Sequence, residues 1–104
     1  MKKVRVITAE EAALMVKDGD TVSTGGLVSC ACPEALTKAL ENRFVETGHP
    51  RDLTLFFAAG QGHRDGTGGD HFGHEGMCKR VVGGHWDRAA KLGELALANK
   101  LEAY

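Results

Sequence analysis

Leu53-Thr54-Leu55-Phe56-Phe57-Ala58-Ala59 is the most hydrophobic run in the chain. It reads as a buried strand at the centre of a sheet. Working backwards, Gly48 and Pro50 stop a helix that Pro33 opens, because a first-turn proline loses no hydrogen bond and Glu34 favours the positive end of the dipole. That helix, from Pro33 to about Glu46, carries Ala35, Leu36, Ala39, Leu40 and Phe44 on one face. Before it, Thr21-Val22-Ser23-Thr24 is a strand running into Gly25-Gly26. Thr8 with Glu11 forms a capping box for a helix carrying Ala12, Ala13, Leu14 and Val16, with Gly19 as its stop. Val4 to Ile7 is a short strand or an extended lead-in.

Working forwards, Gly60 to Gly76 reads as a long loop, of a length that usually serves binding. Arg80-Val81-Val82 is a short strand, and Asp87 is placed to cap a helix from about Arg88 to Asn99. Lys100 to Tyr104 begins to alternate as a further strand. Strands alternating with helices predict an α/β fold, a mostly parallel sheet flanked by helices, with the sheet incomplete in this chain.

Bulk properties narrow the function classes. With 104 residues there is room for one small domain. A net charge of -1, from 13 basic and 14 acidic residues, gives no electrostatic reason to expect nucleic acid. No apolar run approaches the roughly 20 residues of a membrane-spanning helix. Met1-Lys2-Lys3 is basic, but Val4-Arg5-Val6-Ile7 is too short and interrupted for a signal peptide, so a cytoplasmic location is expected. Cys30, Cys32 and Cys78 are an odd count with no disulfide or redox spacing, and read as reduced thiols.

The 14 glycines are about twice the ordinary share of roughly 7%. Gly25-Gly26 lets the chain turn and present bare amides, while the helix at Pro33 adds its own N–H groups, so an anionic oxygen is welcome there. A tight turn without a ligand explains the same residues equally well. Neither the phosphate-loop nor the dinucleotide motif is present.

The stretch Asp18 to Pro33 resembles the first signature of the family I CoA-transferases, the acetate, propionate and 3-ketoacid type. Similarity continues through Pro33-Glu34-Ala35-Leu36, Arg43 to Gly48, Gly60 to Gly66, His71 to Gly76, Gly84-His85-Trp86 and Lys100 to Tyr104. Leu27 stands for the commoner Phe, and Ala31 for a glycine. The resemblance implies a NagB/RpiA-like fold, with residues 1–104 as the N-terminal part of the first CoA-transferase domain. It implies transfer of CoA from an acyl-CoA to a short-chain carboxylate, in short-chain fatty acid or ketone-body metabolism. A glutamyl-CoA thioester is the intermediate, on a glutamate outside this chain, and an oxyanion-stabilising glutamine follows Tyr104 in relatives. Coenzyme A is then a substrate and no cofactor is bound permanently. The partners are the remainder of the enzyme or a second subunit, within a homo-oligomer, without nucleic acid or membrane. The segment alone is expected to be inactive. Gly25, Gly26, Leu27 and Val28 would border the acyl pocket, with Gln61 and Gly62 at the carboxyl end of the central strand.

The competing reading is a non-catalytic small-ligand or metal-binding α/β domain, or an interaction module. His63, His71, His74, His85 and Cys78 lie close in sequence, and the spacing of His71 and His74 suits a ligand pair. Histidines bonding loop backbone are the alternative. Glu34 reads as a helix-start charge and Glu75 as a loop residue, so neither is taken as a nucleophile. Trp86, Leu92 and Leu95 read as core. Lys79-Arg80 reads as solvated charge or a contact to a CoA phosphate, and Cys30 and Cys32 as small packing groups or sites for electrophiles.

Overall fold

The structure is a computed structural model describing residues 3–104, so Met1 and Lys2 of the basic terminus lie outside the described residues. Four strands, β1 (Thr21–Ser23), β2 (Leu53–Phe57), β3 (Cys78–Gly83) and β4 (Glu102–Ala103), form one sheet in the order β1-β2-β3-β4. Every pairing is parallel. The α/β expectation therefore holds, and the run at 53–57 occupies an inner position.

That strand is buried on one face only. Leu53, Leu55 and Phe57 are buried, whereas Phe56 on the opposite face is 49% exposed. The hydrophobic run hid an ordinary two-residue alternation.

The first helix, α1 (Ala9–Ala13), begins where the capping box places it. Thr8 Oγ1 accepts the Glu11 amide at 3.1 Å and donates to the Glu11 carboxylate. It is shorter than its apolar stripe: Leu14 closes it and is 66% exposed. Gly19, with φ at 79°, serves the next turn instead. Val4 and Val6 lie in non-regular chain and are almost fully exposed.

The second helix, α2 (Glu34–Thr47), takes Pro33 as its cap residue rather than its first turn and ends at Gly48 in the left-handed region. Its buried face is Thr37, Ala39 and Leu40, while Ala35 and Leu36 face outward. Arg43 reaches from it to the carbonyls of Ala13 and Val16, tying α1 to α2.

The expected open loop at 60–76 is largely interior. A 3-10 turn at Gly68–Phe72 is buried along its whole length. Glycine is needed there for closeness: a Cβ on Gly68 would meet the Gly62 nitrogen at 2.6 Å.

The last helix, α3 (Ala90–Leu97), is not capped by Asp87. Its cap comes from Asp70, whose Oδ1 accepts the Lys91 amide at 2.9 Å. Asp87 pairs with Arg64 instead. Leu92 is fully buried against Ala89, Phe72 and the rest of the core, but Leu97 at the end of the helix is 91% exposed. Among the described residues no helix is long and apolar enough to cross a membrane.

Candidate functional site

All described strands point the same way, so the loops that leave β1, β2 and β3 gather at one edge. Open parallel sheets bind ligands at this carboxyl edge. Val28, from the first loop, is stitched to the second. Its amide donates to the Gly60 carbonyl at 2.7 Å, and its carbonyl accepts the Gly62 amide at 2.7 Å. Gln61, 4% exposed, lies under this stitch and donates from Nε2 to the Thr24 carbonyl at 2.9 Å. Its side chain therefore braces the first loop and is spent on backbone.

The structure brings Gly25, Gly26, Leu27, Val28, Gln61 and Gly62 together, with different local roles. Gly25 is exposed and has open space where a Cβ would stand. Gly26 has φ at 119°, and a Cβ on it would meet Cys32 Sγ at 2.7 Å. Their two amides have no hydrogen-bond partner among the described residues. The amides of Leu27 and Val28 are already used, by the Cys30 and Gly60 carbonyls. At the helix opened by Pro33, the Glu34 and Leu36 amides also turn back into the chain. Leu27 is 59% exposed. Val28 holds φ at 58°, costly for a β-branched residue and maintained here by its two bonds to the Gly60–Gly62 segment.

Val28 separates two small clefts. One, of about 260 Å³, is lined by Ser29, Cys32, Glu34, His63, Asp65 and Thr67 beside Val28. The other, of about 270 Å³, lies between Leu27, Val28, Ala59, Gly60, His85 and Arg88. Leu27 and Val28 thus stand at a cleft edge, whereas Gly25 and Gly26 precede them without lining either cleft. A larger cleft of about 630 Å³ opens along the β4 edge of the sheet, beside Cys78, Lys79, Lys100 and Tyr104. Arg80 there pairs with Glu102 at 2.9 Å and lies over the Tyr104 ring.

The histidines do not gather around one point. His71, 4% exposed, faces Glu34 with one ring nitrogen and Glu41 with the other, and His74 reaches Glu41 at 2.7 Å. Their partners are thus helix carboxylates, not the loop backbone expected of them. His63 reaches the Ser29 hydroxyl at 3.1 Å, while His85 lies in the second cleft. Among the described residues no group of three or more His, Cys, Asp or Glu side chains is arranged to hold a metal ion.

Glu34 is more than a helix-start charge, since its second oxygen accepts the Gly68 amide at 3.0 Å. Burial would raise its carboxyl, but the Gly68 amide and His71 outweigh burial and hold it below its ordinary value. Burial would raise the Glu41 carboxyl too, but His71 and His74 outweigh it and hold Glu41 below its ordinary value. Bonds from Thr67 hold Asp65 low. Burial, then the nearby Glu34, pushes the Cys32 thiol up, and its Sγ donates to the Val28 carbonyl. Cys78 is pushed up to about 12 by burial alone. Glu75 makes an exposed pair with Lys100, as befits a loop residue. Trp86 packs on Phe57 and donates to the Gly83 carbonyl.

This backbone matches a solved acyl-CoA transferase, YdiF of Escherichia coli O157:H7, in a thioester complex with CoA. The TM-score is 0.92 at 29% identity, covering 94% of this chain and 20% of that one. The chain is similar, over almost its whole length, to a segment of a CoA-transferase. The apoenzyme of the same protein matches at a TM-score of 0.90 and 31% identity, over 97% of this chain and 20% of that one. By sequence, the caffeate CoA-transferase of Acetobacterium woodii is 31% identical over 96% of this chain and 19% of its own length. The acetate CoA-transferase YdiF of Escherichia coli K12 is 31% identical over 98% of this chain and 19% of its own length. The chain therefore spans about a fifth of the length of the curated relatives it matches. A variant of the decarboxylase AibA/AibB shares the fold, with a TM-score of 0.69 at 19% identity over 99% of this chain and 38% of that one. No protein-family model matches.

Two features escaped sequence reasoning. Asp70 caps a helix 21 positions later, with no local signal to reveal it. Arg88, read only as a helix start, lines the cleft beside Val28, and a cation just past a glycine-rich strand end was the available sign.

Proposed function

We propose that this chain is the N-terminal part of the first domain of an enzyme that moves CoA from an acyl-CoA to a short-chain carboxylate. In this reading a glutamate outside residues 1–104 attacks the thioester carbonyl and expels the CoA thiolate, leaving an acyl-glutamyl anhydride. The thiolate then attacks the glutamyl carbonyl, releasing the first acid as its carboxylate and leaving a glutamyl-CoA thioester. The acceptor acid then takes the CoA by the reverse steps. The segment contributes a wall of the acyl site. Gly25 and Gly26 offer amides, Leu27 and Val28 an apolar surface, and Gln61 and Gly62 the backing that holds Val28 in place. CoA is a substrate, the remainder of the enzyme or a second subunit completes the site, and the enzyme works as a cytoplasmic homo-oligomer.

The similarity over 94% of the chain to an acyl-CoA transferase solved as a CoA thioester complex carries this reading. It is tested on the native protein that contains this segment, given acetyl-CoA and propionate. Propionyl-CoA should appear together with a protein-bound CoA adduct that propionate discharges. Hydrolysis to free CoA, or no reaction, would reject transfer.

A further inference from the structure

The cleft of about 270 Å³ beside Val28 has a specific chemistry. It is lined by apolar Leu27, Val28 and Ala59 and by the polar His85 and Arg88, the last two lying against Gly60. The Arg88 guanidinium makes no hydrogen bond or ion pair among the described residues, although the residue is half-buried. Its acidic neighbour Asp87 is engaged by Arg64 at 3.3 Å. A partly desolvated cation without a counter-ion is costly, and an anionic ligand removes that cost.

The backbone holds this cation in position. The Arg88 carbonyl accepts the Arg64 amide at 3.3 Å, and the Ala89 amide donates to the Trp86 carbonyl at 3.0 Å, which fixes the backbone on both sides of the carbonyl. The side-chain stem runs against the end of β2: a Cβ on Gly60 would meet Arg88 Cγ at 3.2 Å and His85 Nδ1 at 3.0 Å. Gly60 therefore keeps the cleft open between the apolar wall and the cation.

We propose that this cleft seats the acid substrate, with Arg88 pairing its carboxylate, His85 as a second polar contact, and Leu27 and Val28 against its short alkyl end. The proposal rests on the CoA-transferase reading above. A phosphate of CoA offers the same anionic chemistry but no apolar end for the Leu27–Val28 wall. The volume also lies just below the roughly 300 Å³ at which pockets for larger ligands begin, which favours an acid of a few carbons.

The test uses the native protein, its Arg88→Met variant, which keeps the stem on Gly60, and Arg88→Lys, which keeps the charge. Propionate binding is measured by calorimetry, and KM separately for propionate and acetyl-CoA. Arg88→Met should raise the propionate Kd and KM about tenfold to a hundredfold, the loss of a charged hydrogen bond. The acetyl-CoA KM should stay within about twofold, and Arg88→Lys should recover most of the loss. Unchanged propionate values, or losses that Arg88→Lys does not recover, overturn the proposal. A rise confined to acetyl-CoA, with inorganic phosphate competing at the cleft, assigns it to CoA and overturns it too. Arg88-dependent propionate binding without CoA transfer in the wild type sinks the transferase reading and leaves the cleft standing. Transfer that ignores Arg88 does the reverse.

Discussion

Val28 and Gln61 form a two-strand bridge outside the sheet, in which the Val28 backbone is held by Gly60 on one side and Gly62 on the other. The loops after β1 and β2 are thereby one unit, and a change in either reaches the cleft walls on both sides of Val28.

The adjacent glycines should behave differently. Gly25→Ala meets open space and should change stability by less than about 0.5 kcal/mol. Gly26→Ala must hold a left-handed φ against Cys32, at a cost of about 1–3 kcal/mol. Urea unfolding of the two variants checks this, and equal losses would mean the bend is not set as described.

Asp70, and not Asp87, is the cap of α3. Its second oxygen also accepts the Gly66 amide at 3.2 Å, so Asp70→Ala strands two amides and should cost about 1–3 kcal/mol. Asp87→Ala removes only an exposed pair with Arg64 and should cost less than about 1 kcal/mol. Denaturation midpoints that reverse this ranking would return the cap to Asp87.

Acid should loosen the contact between α2 and the 3-10 turn. The Glu34 and Glu41 carboxyls lie below their ordinary value of 4.5 because bonds from the Gly68 amide and the histidines overcome burial. A folded value below the unfolded one means the contribution is complete above that ordinary value and is lost as pH falls through the folded values. Glu41→Gln should therefore flatten the acid side of a stability-versus-pH curve. Curves that stay parallel to wild type from about pH 6 to about pH 3 would deny the linkage.

Cys78 should resist alkylation. Burial pushes its thiol up to about 12, so iodoacetamide at mildly alkaline pH should modify it only after denaturation. Peptide mapping that finds Cys78 labelled in the native protein would show that β3 opens readily.

These elements were legible in the sequence where their signals were local. Thr8 with Glu11, Pro33 with Gly48, and the run at 53–57 each act through neighbours within a few residues. The segment after β2 misled because polar and glycine-rich composition usually marks solvent. Here Gly68 allows close contact with Gly62, and Asp70 is 1% exposed while accepting the nearby Gly66 amide and the distant Lys91 amide. His71 misled likewise: its carboxylate partners Glu34 and Glu41 lie on a helix 30 or more positions earlier, beyond any local pattern. The site glycines were legible as a turn, but no periodicity reveals that Gly25 and Gly26 differ. That difference follows from where Cys32 lies.

Whether residues 25–28 wall the acyl site is tested most directly by a crystal structure of the native protein with a non-hydrolysable acyl-CoA analogue. The acyl carbon chain should lie in van der Waals contact with Leu27 or Val28 and close to the Gly25–Gly26 amides. An acyl group bound in the larger cleft along β4, beside Lys79, Lys100 and Tyr104, would contradict it.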